Sequence, residues 1–110
     1  MDEHNITYMD IFTVLAEPTR RTIVEMLAER GALPASEIGD KFSASPPAIS
    51  QHLKVLREAA VVRVEKRGQQ RIYSVNPTAM KEVEEWARNT RRMWNERFDR
   101  LDKFIKQKTK

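Results

Sequence analysis

Apolar positions recur at helical spacing over most of this chain and alternate in only one short stretch. Ile6, Met9, Phe12 and Leu15 predict a first helix over about residues 6–16. Glu17-Pro18-Thr19 breaks it, and Pro18 opens a second helix to about residue 29, with Ile23, Met26 and Leu27 inward. Gly31 is a natural stop for that helix. Pro34-Ala35-Ser36-Glu37 starts a short third helix that turns Ile38 and Phe42 inward, and Lys41-Phe42-Ser43-Ala44 is a turn. Ser45 can cap the next helix, and Pro46 and Pro47 fall in its first turn, where a missing N–H costs nothing. Ile49, Leu53, Leu56 and Ala60 define its buried face. Two short helices joined by a tight turn make a helix-turn-helix, over about residues 35–59.

Beyond Leu56 the period changes from helical to strand-like. Val62, Val64, Tyr73 and Val75 alternate with Arg63, Glu65 and Ser74, on either side of a tip, Lys66-Arg67-Gly68-Gln69-Gln70-Arg71. This predicts a β-hairpin over about residues 61–76 with a basic, amide-rich end. Asn76-Pro77 then starts a last helix over about residues 78–107. On it Val83, Trp86, Ala87, Thr90, Met93, Trp94, Phe98, Leu101, Phe104 and Ile105 recur every three or four residues. One small domain cannot cover so long a stripe, and the simplest partner is the same helix of a second copy. The fold expected is mostly α with a small hairpin, in a single domain over residues 1–110.

The outward face of the helix after Ser45 is unusual for a solvated surface. It carries Pro47, Gln51, Lys54 and Glu58, flanked by Ala48 and Ser50, and its N-terminal half is small or uncharged. Short hydroxyls, an amide and a lysine suit base edges and phosphates in a DNA major groove. A hairpin that directly follows such a helix is a wing, whose Arg67, Gln69, Gln70 and Arg71 can reach flanking phosphates or a minor groove. His52 lies beside the buried stripe, either as a satisfied structural residue or as a phosphate contact.

Composition narrows the partners. The net charge of +4 fits a polyanion, and 33% charged residues with no long apolar run argue against a membrane span. Met1-Asp2-Glu3-His4 lacks the layout of a secretory signal, and the absence of cysteine is compatible with a cytoplasmic address. Without Cys, and with His4 and His52 as its only histidines, the chain offers no set of zinc or arsenic ligands and no cofactor site. No nucleophile–base pair is present, so an enzyme is not expected.

In Leu15-Ala16-Glu17-Pro18-Thr19-Arg20-Arg21, in Ser45 to Leu56, and in Val61-Val62 with Arg67-Gly68-Gln69-Gln70-Arg71-Ile72-Tyr73, the chain resembles ArsR-type winged-helix repressors. The likeness covers about residues 12–76, as three separated motifs in order. Glu85-Trp86 and Met93 to Asp102 further resemble the subgroup without metal-binding cysteines. This implies a winged helix-turn-helix repressor, dimerised through its first and last helices and reading an inverted repeat in double-stranded DNA. The family match favours Ser45, Pro47, Ala48, Ser50, Gln51, His52 and Lys54 as DNA contacts, beside the four wing residues. The dimer would use Ile6, Met9, Trp86, Thr90, Met93, Trp94, Phe98, Leu101 and Ile105. A small apolar ligand or a partner protein remains as effector, and the alternatives are a metal-responsive repressor and a winged-helix protein-interaction module.

Two positions depart from the family pattern. Glu17 stands where Asp is usual and makes a poorer cap, and Ala59-Ala60-Val61 replaces the glycine expected after the recognition helix. That helix is therefore expected to end by a different turn.

Overall fold

The computed structural model describes residues 10–108. Its elements run α1 (Ile11–Ala16), α2 (Pro18–Arg30), β1 (Leu33–Pro34), α3 (Ala35–Gly39), α4 (Pro46–Glu58), β2 (Val62–Arg67), β3 (Gln70–Val75) and α5 (Pro77–Lys108). The chain divides into two compact units, one ending at Met80 and one beginning at Lys81. The described buried core lies in the first unit, and every described residue from Glu84 onward is exposed.

Within the described residues, helix α1 begins at Ile11. Asp10 is its N-cap in an extended conformation, accepting the N–H groups of Phe12 at 2.8 Å and Thr13 at 3.0 Å. These N–H donors, Thr13 foremost, hold the Asp10 carboxyl below its ordinary range. A helix cannot continue through an extended cap, so the helix expected over residues 6–16 is interrupted at Asp10, and its part before that residue lies outside the described residues. The buried residue of α1 is Val14, while Phe12 stays exposed. Ile6 and Met9 lie outside the described residues.

Helix α2 is capped by Glu17. Its carboxylate does fold back as the N-cap, accepting the Arg20 N–H at 2.9 Å, which holds it below the usual carboxylate range. Ile23, Val24 and Leu27 of α2 join Val14, Leu33, Ile38, Ile49, Leu53, Leu56, Val61, Val62 and Tyr73 in one continuous core.

The sheet has three antiparallel strands, in the order β1-β3-β2, where the sequence predicts a two-stranded hairpin. The added strand is the pair Leu33–Pro34, with Leu33 opposite Tyr73 and Pro34 opposite Ile72. Two residues carry no readable alternation, and Pro34 is tolerated because it sits on an edge. Strands β2 and β3 pair from Val62↔Val75 to Arg67↔Gln70, so the turn shrinks to Gly68-Gln69. Gly68 has φ +60° and Gln69 does not share the positive φ, the pattern of a type II′ turn that favours glycine first.

The end of α4 overturns two expectations. Ala60 is exposed rather than part of the buried face, and it adopts the left-handed conformation itself, with φ +60°. The N–H of Ala60 bonds the Arg57 carbonyl at 2.9 Å, and that of Val61 bonds the Leu56 carbonyl at 2.9 Å. This is the Schellman pairing, with Val61 and Leu56 both fully buried as its apolar contact. The helix therefore ends as a glycine-bearing helix would, with alanine holding the strain. Asn76 anchors that turn: its Nδ2 donates to the Ala60 carbonyl at 2.8 Å, and its Oδ1 accepts the Thr78 N–H at 3.1 Å.

A left-handed alanine costs about 1–2 kcal/mol, which glycine would not incur. Ala60→Gly should therefore raise stability by about 1 kcal/mol, or a few degrees in Tm at fixed protein concentration. An unchanged or lower Tm would show that the surrounding hydrogen bonds have already relieved the strain.

Candidate nucleic-acid interface

Helix α4 owes its presentation to its two ends. Ser45 accepts the Ala48 N–H at 3.3 Å and Pro46 takes the first helical position, which starts the helix without using a donor. Ile49, Leu53 and Leu56 bury one side. Pro47, Ser50, Gln51 and Lys54 are exposed, and Ala48 is half-buried. The Ser45 hydroxyl is thus already engaged as the cap.

Ser50, Gln51 and Lys54 line a cleft of about 330 Å³ between α4 and the sheet, together with Ala35, Leu53, Arg57, Arg71 and Tyr73. Three cations and no carboxylate border it, over a floor of Ala35, Leu53 and Tyr73. Arg71, on the central strand β3, reaches the same cleft as Gln51, Lys54 and Arg57 of α4. Such a slot offers amide and hydroxyl groups to base edges and cations to the phosphates bordering them.

The other wing residues sit farther out and are exposed. Gln69 is in the turn, Gln70 and Arg67 pair across it, and Arg67 Nη2 lies 3.2 Å from Glu65 Oε1. An ion pair this exposed contributes little, so Arg67 can exchange Glu65 for a phosphate. Arg57 is a cleft residue outside the set expected from the sequence. It follows Lys54 by three positions on the same helix, and that spacing is the signal that could have found it.

His52 is placed differently from its neighbours. It is half-buried, and its Nδ1 lies 3.4 Å from Arg20 Nη1 and 3.9 Å from Glu17 Oε1. Arg20 in turn donates from Nε to the Val14 carbonyl at 2.9 Å. The recognition helix is thereby tied to the junction of α1 and α2.

On α5, Trp86, Thr90, Met93, Trp94, Phe98, Leu101 and Ile105 are all exposed, Trp94 at 63%. Their polar neighbours form i,i+4 ion pairs along the helix: Glu84 with Arg88, Arg92 with Glu96, and Asp102 with Lys106. Among the described residues no three His, Cys, Asp or Glu side chains gather to hold a metal. No helix of these residues is long and apolar enough to cross a membrane.

A family described as a helix-turn-helix domain matches residues 15–65. The transcriptional repressor SdpR of Bacillus subtilis is 35% identical over 80 residues, covering 73% of this chain and 88% of that protein. The crystal structure of a possible transcriptional regulator for arsenical resistance is 36% identical, with a TM-score of 0.68 over 74% of this chain and 84% of the other. That of an ArsR family transcriptional regulator is 29% identical, with a TM-score of 0.71 over 77% and 87%. The chain belongs to the ArsR family. It is a DNA-binding transcriptional repressor with a winged helix-turn-helix fold, and ArsR-family proteins are transcription regulators rather than enzymes. Within that family its cysteine-free composition is consistent with the subgroup that lacks metal-binding cysteines.

Proposed function

We propose that this ArsR-family repressor acts in the cytoplasm as a homodimer, occupying an inverted-repeat operator in competition with RNA polymerase. Each protomer lays α4 in the major groove of one half-site, and two-fold symmetry makes the site an inverted repeat. Pro47, Ala48, Ser50, Gln51 and Lys54 meet the groove, with Ser45 at the helix start. Arg67, Gln69, Gln70 and Arg71 meet the flanking backbone or minor groove. One observation carries this reading: Ser50, Gln51, Lys54 and Arg71 share a single cleft bordered by cations and free of carboxylates.

The dimer reading is supported by the exposed stripe on α5, where Trp86 and Met93, Trp94 and Leu101, and Phe98 and Ile105 each fall a heptad apart. Ile6 and Met9 are proposed to join that interface. Release is proposed to need no metal cofactor, because the chain has no cysteine and only two histidines. A small apolar ligand at the aromatic stripe or a partner protein is the effector class that remains.

The wing supplies the test. Arg67→Ala with Arg71→Ala should weaken operator and unrelated DNA alike, and flatten the salt dependence by about 0.9 in log–log slope for each phosphate no longer neutralised. Arg71 should contribute more than Arg67, which already has Glu65 beside it. A changed operator preference at constant salt slope would mean that the wing reads bases, and this division of labour would be wrong.

A further inference from the structure

We infer that Arg20 sets the tautomer of His52, so that this recognition-helix histidine presents an oriented Nε2–H donor to a DNA phosphate. The inference rests on the proposed placement of α4 in the major groove. Its basis is the pairing of Arg20 Nη1 with His52 Nδ1 at 3.4 Å, between residues 32 positions apart. A guanidinium has donors and no acceptor, so the shared hydrogen must belong to Arg20. Nδ1 then accepts, and in the neutral ring the remaining hydrogen sits on Nε2. Glu17 Oε1, at 3.9 Å, lies beyond hydrogen-bond reach of Nδ1 in the neutral ring and accepts the Arg20 N–H at 2.9 Å; only a protonated ring would pair with it instead of Arg20.

Arg20 is itself held, because Nε donates to the Val14 carbonyl near the end of α1. The ring therefore has a fixed support on its Nδ1 side. Nε2 is the ring's other nitrogen, next to Nδ1 across Cε1, and 22% of the side chain reaches solvent. His52 follows Gln51 around the helix, on the flank of the exposed face. The flank of a helix lying in the major groove meets the phosphate wall rather than base edges. Arg20 is thus a positioning residue for DNA binding and His52 a backbone contact. A donor oriented in advance loses less freedom on binding than a free one.

Two measurements on the full chain test this. Long-range proton–nitrogen NMR of the free protein should show His52 with its hydrogen on Nε2, and a hydrogen on Nδ1 overturns the inference directly. In operator binding, His52→Ala and Arg20→Ala should each weaken affinity about tenfold, with little further effect in the double variant. His52→Gln, whose amide N–H falls near the Nε2 position, should restore most of the affinity even beside Arg20→Ala. His52→Asn, whose amide falls near Nδ1, should not. Equal behaviour of the Gln and Asn variants would reduce His52 to packing and overturn the inference. Gln51→Ala is run in parallel: unchanged affinity there refutes the groove placement of α4, whereas the NMR result stands apart from it.

Discussion

Trp94→Glu combined with Leu101→Glu is expected to break the proposed α5 dimer and leave the protein unable to hold its operator. Both side chains are more than half exposed, a heptad apart on α5, at 63% and 54%. Covering the exposed half of one tryptophan removes on the order of 100 Å² from water. At about 25 cal/mol per Å², that contributes roughly 2.5 kcal/mol per protomer. A symmetric dimer counts each substitution twice, so Trp94 alone amounts to about 5 kcal/mol, a change of more than a thousandfold in the dimer dissociation constant. Glutamate adds the cost of burying a charge without a partner. Operator affinity falls with the dimer, because two linked half-sites gain about a hundredfold or more over one. Sedimentation and operator titration at the same protein concentration check both halves. A variant that remains dimeric and binds normally would remove α5 from the interface. A monomer that still binds at full affinity would show that one protomer suffices.

Gln51→Ala should lower operator affinity about ten- to a hundredfold, while binding to unrelated DNA and its salt dependence stay unchanged. Gln51 is exposed on α4 and lines the cation-bordered cleft beside Ser50 and Lys54. A side-chain amide pairs in bidentate fashion with adenine, and each such pairing discriminates by about 1–3 kcal/mol. Folding should be unaffected, because an exposed helical position gains rather than loses propensity on changing to alanine. Operator and scrambled duplexes titrated side by side read the difference. An equal weakening on both would make Gln51 a backbone contact, and no change on either would remove it from the interface.

Much of the architecture was legible because its causes are local. Ser45, Pro46 and the spacing of Ile49, Leu53 and Leu56 specify the start and the buried face of α4 within a dozen residues. The turn at Gly68 follows from the left-handed freedom of one residue between two alternating runs. The stripe on α5 is a periodicity, and periodicity survives without any knowledge of what covers it.

Most of the departures share one cause, which is dependence on partners distant in the chain. Leu33 and Pro34 form a strand only because Tyr73 and Ile72 lie alongside to pair with them. Ala60 accepts a left-handed conformation with Asn76, 16 residues later, bonded to its carbonyl. Asp10 has a different reason. Its carboxylate caps α1 at Ile11 by accepting the N–H groups of Phe12 and Thr13, a local hydrogen bond that apolar spacing does not register.

The order of residues alone was enough for the set of helices, the exposed polar face of α4, the basic wing and the family. Each is a matter of propensity, capping or period over a few turns of chain. Which of those groups meet was left to the closed fold. It brought Arg71 to the cleft with Gln51, Lys54 and Arg57, joined His52 to Arg20, and placed the strain of the recognition helix on Ala60. Such meetings join residues far apart in the chain, and they exist only once the core has closed.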